Sequence, residues 1–268
     1  MIMTSVSSAR AEAPLRSLLR FRWLILEFVI RDLRLRYRGS IGGLLWTLLN
    51  PVVFMGIYTL VFGVFLNVGT AHYPVFLLSG LVPWSWFQMS ISQGTTSIQD
   101  GRMYVGKTVF PTEVLVAVPV LSNMINFALS IPLLFLIELA FGIKPGLSLV
   151  LLPVIVAIQC TLTIGILLIV ATYNVFFRDF QQLVGIAVMF VFYLNPIFYP
   201  LDRIPPAIQH YAVFDPITPL ILAYQDLFYR GTWPSPVLLA YSATIAIIAY
   251  AIGQFIFNRH HDSFAEYL

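Results

Sequence analysis

RDLRLRYRGSIGGLLWTLLNP, Arg31 to Pro51, passes from a dense run of arginines into apolar sequence. Arg31, Arg34, Arg36 and Arg38 stand on one side of that junction, and no formally charged side chain follows from Gly39 to Gln99. A soluble domain, with about a quarter of its residues charged, has no place for such a stretch. The rest of the chain agrees: 59% of its 268 residues are hydrophobic and 10% charged, and the mean hydropathy is +0.86. In lipid the backbone must satisfy its own polar groups, so spanning segments are helices of about 20 residues or strands of a closed barrel. The apolar runs here are continuous rather than alternating, which excludes the barrel. The fold class is therefore all-α integral membrane.

The formal net charge is only +3, but eight of the fifteen Lys and Arg residues lie in the first 38 positions. Cations beside a first span set its orientation and meet anionic headgroups, so membrane lipids, and no nucleic acid, are the partners this charge implies. Residues 1–13 are small and polar and read as a disordered N-terminus, without the pattern of a cleaved signal peptide. Over 14–38, at 100° per residue, Arg16, Arg20, Glu27, Arg31, Arg34 and Arg38 fall within about a 60° arc, and leucines and valines cluster elsewhere. The spacing predicts an amphipathic helix, suited both to the membrane interface and to docking a partner. Arg22, Asp32 and Arg36 fall outside its charged arc.

The apolar runs predict a transmembrane domain over 39–258, with six spans at about 39–66, 73–98, 114–141, 147–176, 180–195 and 236–257, and a tail at 259–268. Asn50-Pro51 places a kink in the first span. Pro196 to Gly231 is neither span nor ordinary loop, having prolines at 196, 200, 205, 206, 216 and 219. It suits short helices at Ile204–Phe214 and Pro216–Tyr229, the second capped by Asp215, dipping back into the membrane as a gate segment. With six spans, twelve Lys and Arg lie on one side and three on the other, which puts both termini in the cytoplasm and 196–231 on the outer face.

Gly101 to Thr108 matches the phosphate-cradling pattern G-x-x-x-x-G-K-[ST], but a membrane helix precedes it and Pro111 follows, without the strand-to-helix context that makes such a loop bind nucleotide. His260-His261 is too small a cluster for a metal site, and Glu138 lies close enough to a helix end to reach headgroup water. The remaining acids fall mostly in loops or at helix ends, so neither an intramembrane catalytic cluster nor an ion-coupling carboxylate at mid-depth is legible. The energy source is expected on another polypeptide.

The junction 31–51, the run YPVFLLSGLVPWSWF, the loop KTVFPTE, the pair Arg178-Asp179 and NPIFYP at 195–200 follow one another in an order that resembles the membrane subunit of bacterial polysaccharide ABC exporters. That is the ABC transporter type-2 permease class that exports O-antigen, capsule and teichoic acid polymers. The resemblance runs from about Leu18 to the SFAEYL ending. It implies a homodimer in the bacterial inner membrane, a channel between the two copies, and two separate ATP-binding subunits that hold ATP and magnesium, with no cofactor in this chain. It also implies that the loop carrying Asp100, Arg102, Lys107 and Glu113 contacts the ATPase together with the N-terminal helix, and that 196–231 supplies the outer gate. A lipid-linked polysaccharide would bring its pyrophosphate to Arg31, Arg34, Arg36 and Arg38, because guanidinium groups bind phosphate by paired hydrogen bonds. Trp84, Trp86, Phe87, Tyr193, Phe198 and Tyr199 offer faces on which sugars stack, although aromatic belts at membrane interfaces draw on the same residues. A permease for a drug or small lipid, and a membrane-bound enzyme of envelope glycan assembly, are the competing functions.

Overall fold

The computed structural model describes residues 21–268 except 40, 41, 44, 106–109, 178, 206–208 and 210–213, and all regular structure among them is helical. Helix α1 is Arg22–Tyr37. Helix α2, Leu45–Tyr58, contains Pro51 and continues as π-helical turns over Thr59–Phe65. Helix α3 is Tyr73–Gly94, and the short α4 is Ser97–Asp100. Helix α5 is Glu113–Ala140, and a 3-10 segment at Leu147–Leu151 leads into α6, Leu152–Phe176. Helix α7 is Phe180–Leu194, α8 is Thr218–Gln225 with a π turn over Asp226–Arg230, α9 is Pro236–His260 and α10 is Phe264–Tyr267.

Among the described residues, four helical stretches are long and apolar enough to cross a membrane: Leu45–Phe65, Glu113–Ala140, Leu147–Phe176 and Pro236–Tyr267. Helix α3 is the hub, enclosed by α2, α5, α6, α7 and α8 and buried along most of its length. It is more polar than the long helices around it, α2, α5, α6 and α7. Protein rather than lipid surrounds it, and its hydroxyls bond back to their own helix, Ser79 to Phe76 O, Ser85 to Leu81 O and Ser90 to Trp86 O. Helices α6 and α9 form the most extensive pair. By contrast α7 buries only Val184 and α2 buries no residue fully, so two apolar helices stand with broad faces uncovered by this chain.

One end of the bundle gathers α1, the loop after α4, the end of α6 and the tail. Gln99 Nε2 donates to Asn174 O at 2.8 Å, Thr112 Oγ1 pairs with His261 Nε2 at 3.0 Å, and the rings of Phe176 and Tyr267 meet at 4.8 Å. At the far end Tyr229 donates to Ala71 O at 2.9 Å and Tyr73 to Phe198 O at 2.9 Å. Between these ends the segment after α7 turns back into the bundle, where Asp215 and Ile217 share an apolar groove with Phe87, Ile166 and Val188. The predicted helix at 204–214 lies largely outside the described residues. The second short helix begins at Thr218 rather than Pro216, with Pro219 in its first turn and Asp215 Oδ2 accepting from Thr218 N at 3.1 Å. Asp215 also accepts from Asn195 Nδ2 at 3.1 Å, which draws the segment onto the end of α7 and shifts the helix start.

Candidate functional site

Helix α1 lies against the first half of α5, with Ile25 and Val29 buried on Val114 and Val118; residues 14–20 of the predicted helix lie outside the described residues. This packing divides the four arginines. Arg31, Arg34 and Arg38 line an open cavity of about 760 Å³ with Glu27, Ile30 and Tyr37. Arg31 donates to Tyr104 Oη at 2.6 Å and its guanidinium lies 5.9 Å from the Phe28 ring centre. Arg34 and Arg38 are exposed and make no side-chain bond among the described residues. Arg36 turns the other way. It donates to Asn123 Oδ1 at 2.8 Å, Asp32 Oδ2 at 2.8 Å and Gln93 Oε1 at 2.9 Å, and Gln93 also accepts from Asn123 Nδ2 at 2.9 Å. Two of the three residues outside the charged arc, Asp32 and Arg36, thus pair with each other on the side of α1 that meets α3 and α5.

The loop after α4 joins this surface through an aromatic trio. Phe28 of α1, Tyr104 and Phe110 have ring centres 5.0–5.6 Å apart. Asp100 ends α4 and accepts from Thr96 Oγ1 at 2.8 Å, Arg102 is exposed, and Glu113 opens α5. Lys107 lies outside the described residues. The structure therefore brings Asp100, Arg102 and Glu113 to the same end as the outward-facing arginines.

Most of the six aromatics assigned from the sequence are packing residues in this chain. Trp84, Trp86, Phe87 and Phe198 are buried, each 5% exposed or less. Trp84 stacks on Phe192 at 5.4 Å and donates to Gln88 Oε1; Trp86 stacks on Phe127 at 5.2 Å and donates to Val120 O. For the three on α3 the reason is its central position, which side-chain chemistry alone does not reveal; Phe198 is enclosed by the rings of Tyr58, Phe62 and Phe192. Tyr193 is exposed, and Tyr199 is half-buried with its hydroxyl donating to Tyr193 O at 2.8 Å.

A second cavity, about 470 Å³, opens between α2, α3 and α5, and sequence reasoning missed it. Trp46, Thr47, Asn50 and Phe54 line it from α2, and Trp86, Gln88 and Asn126 from the helices behind. The signal was present as spacing: Gly43, Thr47, Asn50 and Phe54 recur every three to four residues, so one face of an apolar helix carries the polar and aromatic groups.

Comparison with known proteins agrees in family and extent. The family model for the ABC-2 type transporter matches residues 24–229. An O-antigen export system permease protein of Myxococcus xanthus is 36% identical, covering 94% of this chain and 97% of that protein. One from Klebsiella pneumoniae is 34% identical over 91% and 95%, and a polysialic acid transport protein of Escherichia coli is 25% identical over 87% and 92%. With four membrane-length apolar helices on an all-helical frame, this multi-pass membrane protein belongs to the ABC-2 type transporter family.

Proposed function

We propose that this chain is the channel-forming permease subunit of an ATP-driven exporter that carries a lipid-linked polysaccharide from the cytoplasm across the bacterial inner membrane. The observation that carries this assignment is the nearly end-to-end likeness to O-antigen export permeases. Helices α2, α3, α5, α6, α7 and α9 make six crossings, with the arginine-rich end in the cytoplasm and α1 lying in the interface as the family resemblance implies. The α3 helix and the 15-residue α7 complete the count beside the four long helices, α3 because protein shields it from lipid.

Two copies assemble through the uncovered faces of α2 and α7, and two ATP-binding subunits holding ATP and magnesium dock on the surface formed by α1 and the loop of Asp100, Arg102, Lys107 and Glu113. The phenolic bond from Arg31 to Tyr104 supports a single docking unit, since it ties helix and loop together. Arg31, Arg34 and Arg38 receive the pyrophosphate, whereas Arg36 orients the helix that carries them. Tyr193 and Tyr199 are the aromatics of the original six whose faces remain open to the polymer path.

Vesicles containing the chain and its ATPase test this assignment. Glycolipid labelled on the cytoplasmic leaflet is expected to become accessible on the opposite side only with ATP. ATP hydrolysis without movement of the glycolipid, or glycan chemistry by the purified chain alone, would remove it.

A further inference from the structure

Tyr37 forms a wall between two cavities of different chemistry. The arginine-lined cavity lies on one side and the cavity between α2, α3 and α5 on the other. Its hydroxyl donates to Asn126 Oδ1 and pairs with Thr47 Oγ1, both at 2.8 Å, which fixes the ring between α2 and α5.

The first cavity is cationic and open. The second is neutral in effect, because the one cation on its wall, Arg36, is engaged by Asp32, Gln93 and Asn123. Asn50 makes no side-chain hydrogen bond among the described residues, and Gln88 commits only its carbonyl oxygen, to Trp84 Nε1. Both amides belong to exposed residues of otherwise apolar helices, and polar side chains within a span mark functional surfaces. Beside these amides the rings of Trp46 and Phe54 are about half exposed, at 51% and 48%. A sugar ring presents hydroxyls at its rim and C–H groups on its faces, so it meets both kinds of group at once. An acyl tail would leave the amides unpaired, and a phosphate would find no free cation. The volume falls within the roughly 300–1,000 Å³ usual for small-molecule sites. A bounded space of that kind suits one end of a polymer better than a polymer in transit.

We propose that this second cavity receives the sugar unit nearest the lipid diphosphate of the exported glycolipid, as the diphosphate settles on Arg31, Arg34 and Arg38. The proposal rests on the exporter assignment and adds to it the part of the substrate that is recognised before transport.

The complex of this chain with its ATPase, in lipid nanodiscs, is titrated with bare polyprenyl diphosphate and with the same lipid bearing one N-acetylglucosamine or one galactose. The unmodified complex is expected to bind one glycosylated lipid roughly tenfold more tightly than the bare one, the worth of one or two hydrogen bonds. Asn50→Ala and Gln88→Met should each erase most of that preference while the bare lipid binds as before; Thr47→Val, which keeps side-chain shape, provides a third variant. Equal affinity for bare and glycosylated lipids overturns the proposal, as does a preference that survives all three substitutions. Joint loss of both affinities in variants that still assemble with the ATPase overturns it too, because the cavity would not be reading the sugar. If the unmodified complex binds neither kind of lipid, the exporter assignment fails and the proposal falls with it.

Discussion

Arg36 and Asn123 are 87 positions apart in sequence and joined by a 2.8 Å hydrogen bond. The same guanidinium holds Gln93, so one side chain ties α1 to both α3 and α5. A lysine keeps the charge but cannot span a fork of partners.

Arg36→Lys is therefore expected to lower stability by about 1.5–3 kcal/mol, the range for hydrogen bonds to a charged group. Arg34→Lys, at an exposed side chain without a partner among the described residues, should change it by no more than about 0.5 kcal/mol. Thermal unfolding of the purified chain reads both, and equal midpoints for the two variants would show that the Arg36 network does not anchor α1.

Export should respond in the opposite pattern at the open arginines. Arg34→Lys and Arg38→Lys retain the charge that sets topology but lose the paired bonds to phosphate. Transport of the glycolipid is expected to fall several-fold with insertion, unfolding midpoint and ATPase assembly unchanged. Unaltered transport in the double variant would leave these arginines with topology alone.

The α6–α9 pair depends on two glycines. A Cβ on Gly165 would sit 2.5 Å from the Tyr250 backbone nitrogen, and one on Gly253 would collide with the Gly165 carbonyl. Small residues that let helix backbones approach are the usual basis of packing in lipid. Gly165→Ala is expected to cost about 1–3 kcal/mol through overpacking. Gly185 of α7 has open space around it, so Gly185→Ala should gain up to about 1 kcal/mol in the isolated chain from helix propensity. A gain in the isolated chain that turns to a loss in the assembled complex would place the second copy on α7.

Orientation follows from which polar segments share an end. Reporters fused at Gly101 and Asn258 are expected to report cytoplasm, and those at His72 and Lys144 the outer face. A cytoplasmic signal from Lys144 would break the alternation of α5 and α6 on which six crossings depend.

Composition and charge placement decided the class of this protein without any tertiary information. A run of 61 residues from Gly39 to Gln99 without formal charge is compatible only with a bilayer, and continuous apolar runs there must be helices because no water satisfies the backbone. The order of landmarks along the chain was equally legible, since a linear pattern records family. Which helix stands inside the bundle was not. Helix α3 and its neighbours are all largely apolar, and burial is a property of what surrounds a helix rather than of its own residues, so the sequence offered Trp84, Trp86 and Phe87 as sugar-stacking faces without showing that they are buried in this chain. Helical spacing set Arg36 apart from Arg31, Arg34 and Arg38, but it could not say which side met protein, and all four were assigned to the pyrophosphate. Only the packing of Ile25 and Val29 on Val114 and Val118 fixed the rotation of α1, sending Arg36 inward to Asn123 and leaving Arg34 and Arg38 outside, because a helix has one azimuth and a neighbour must choose it.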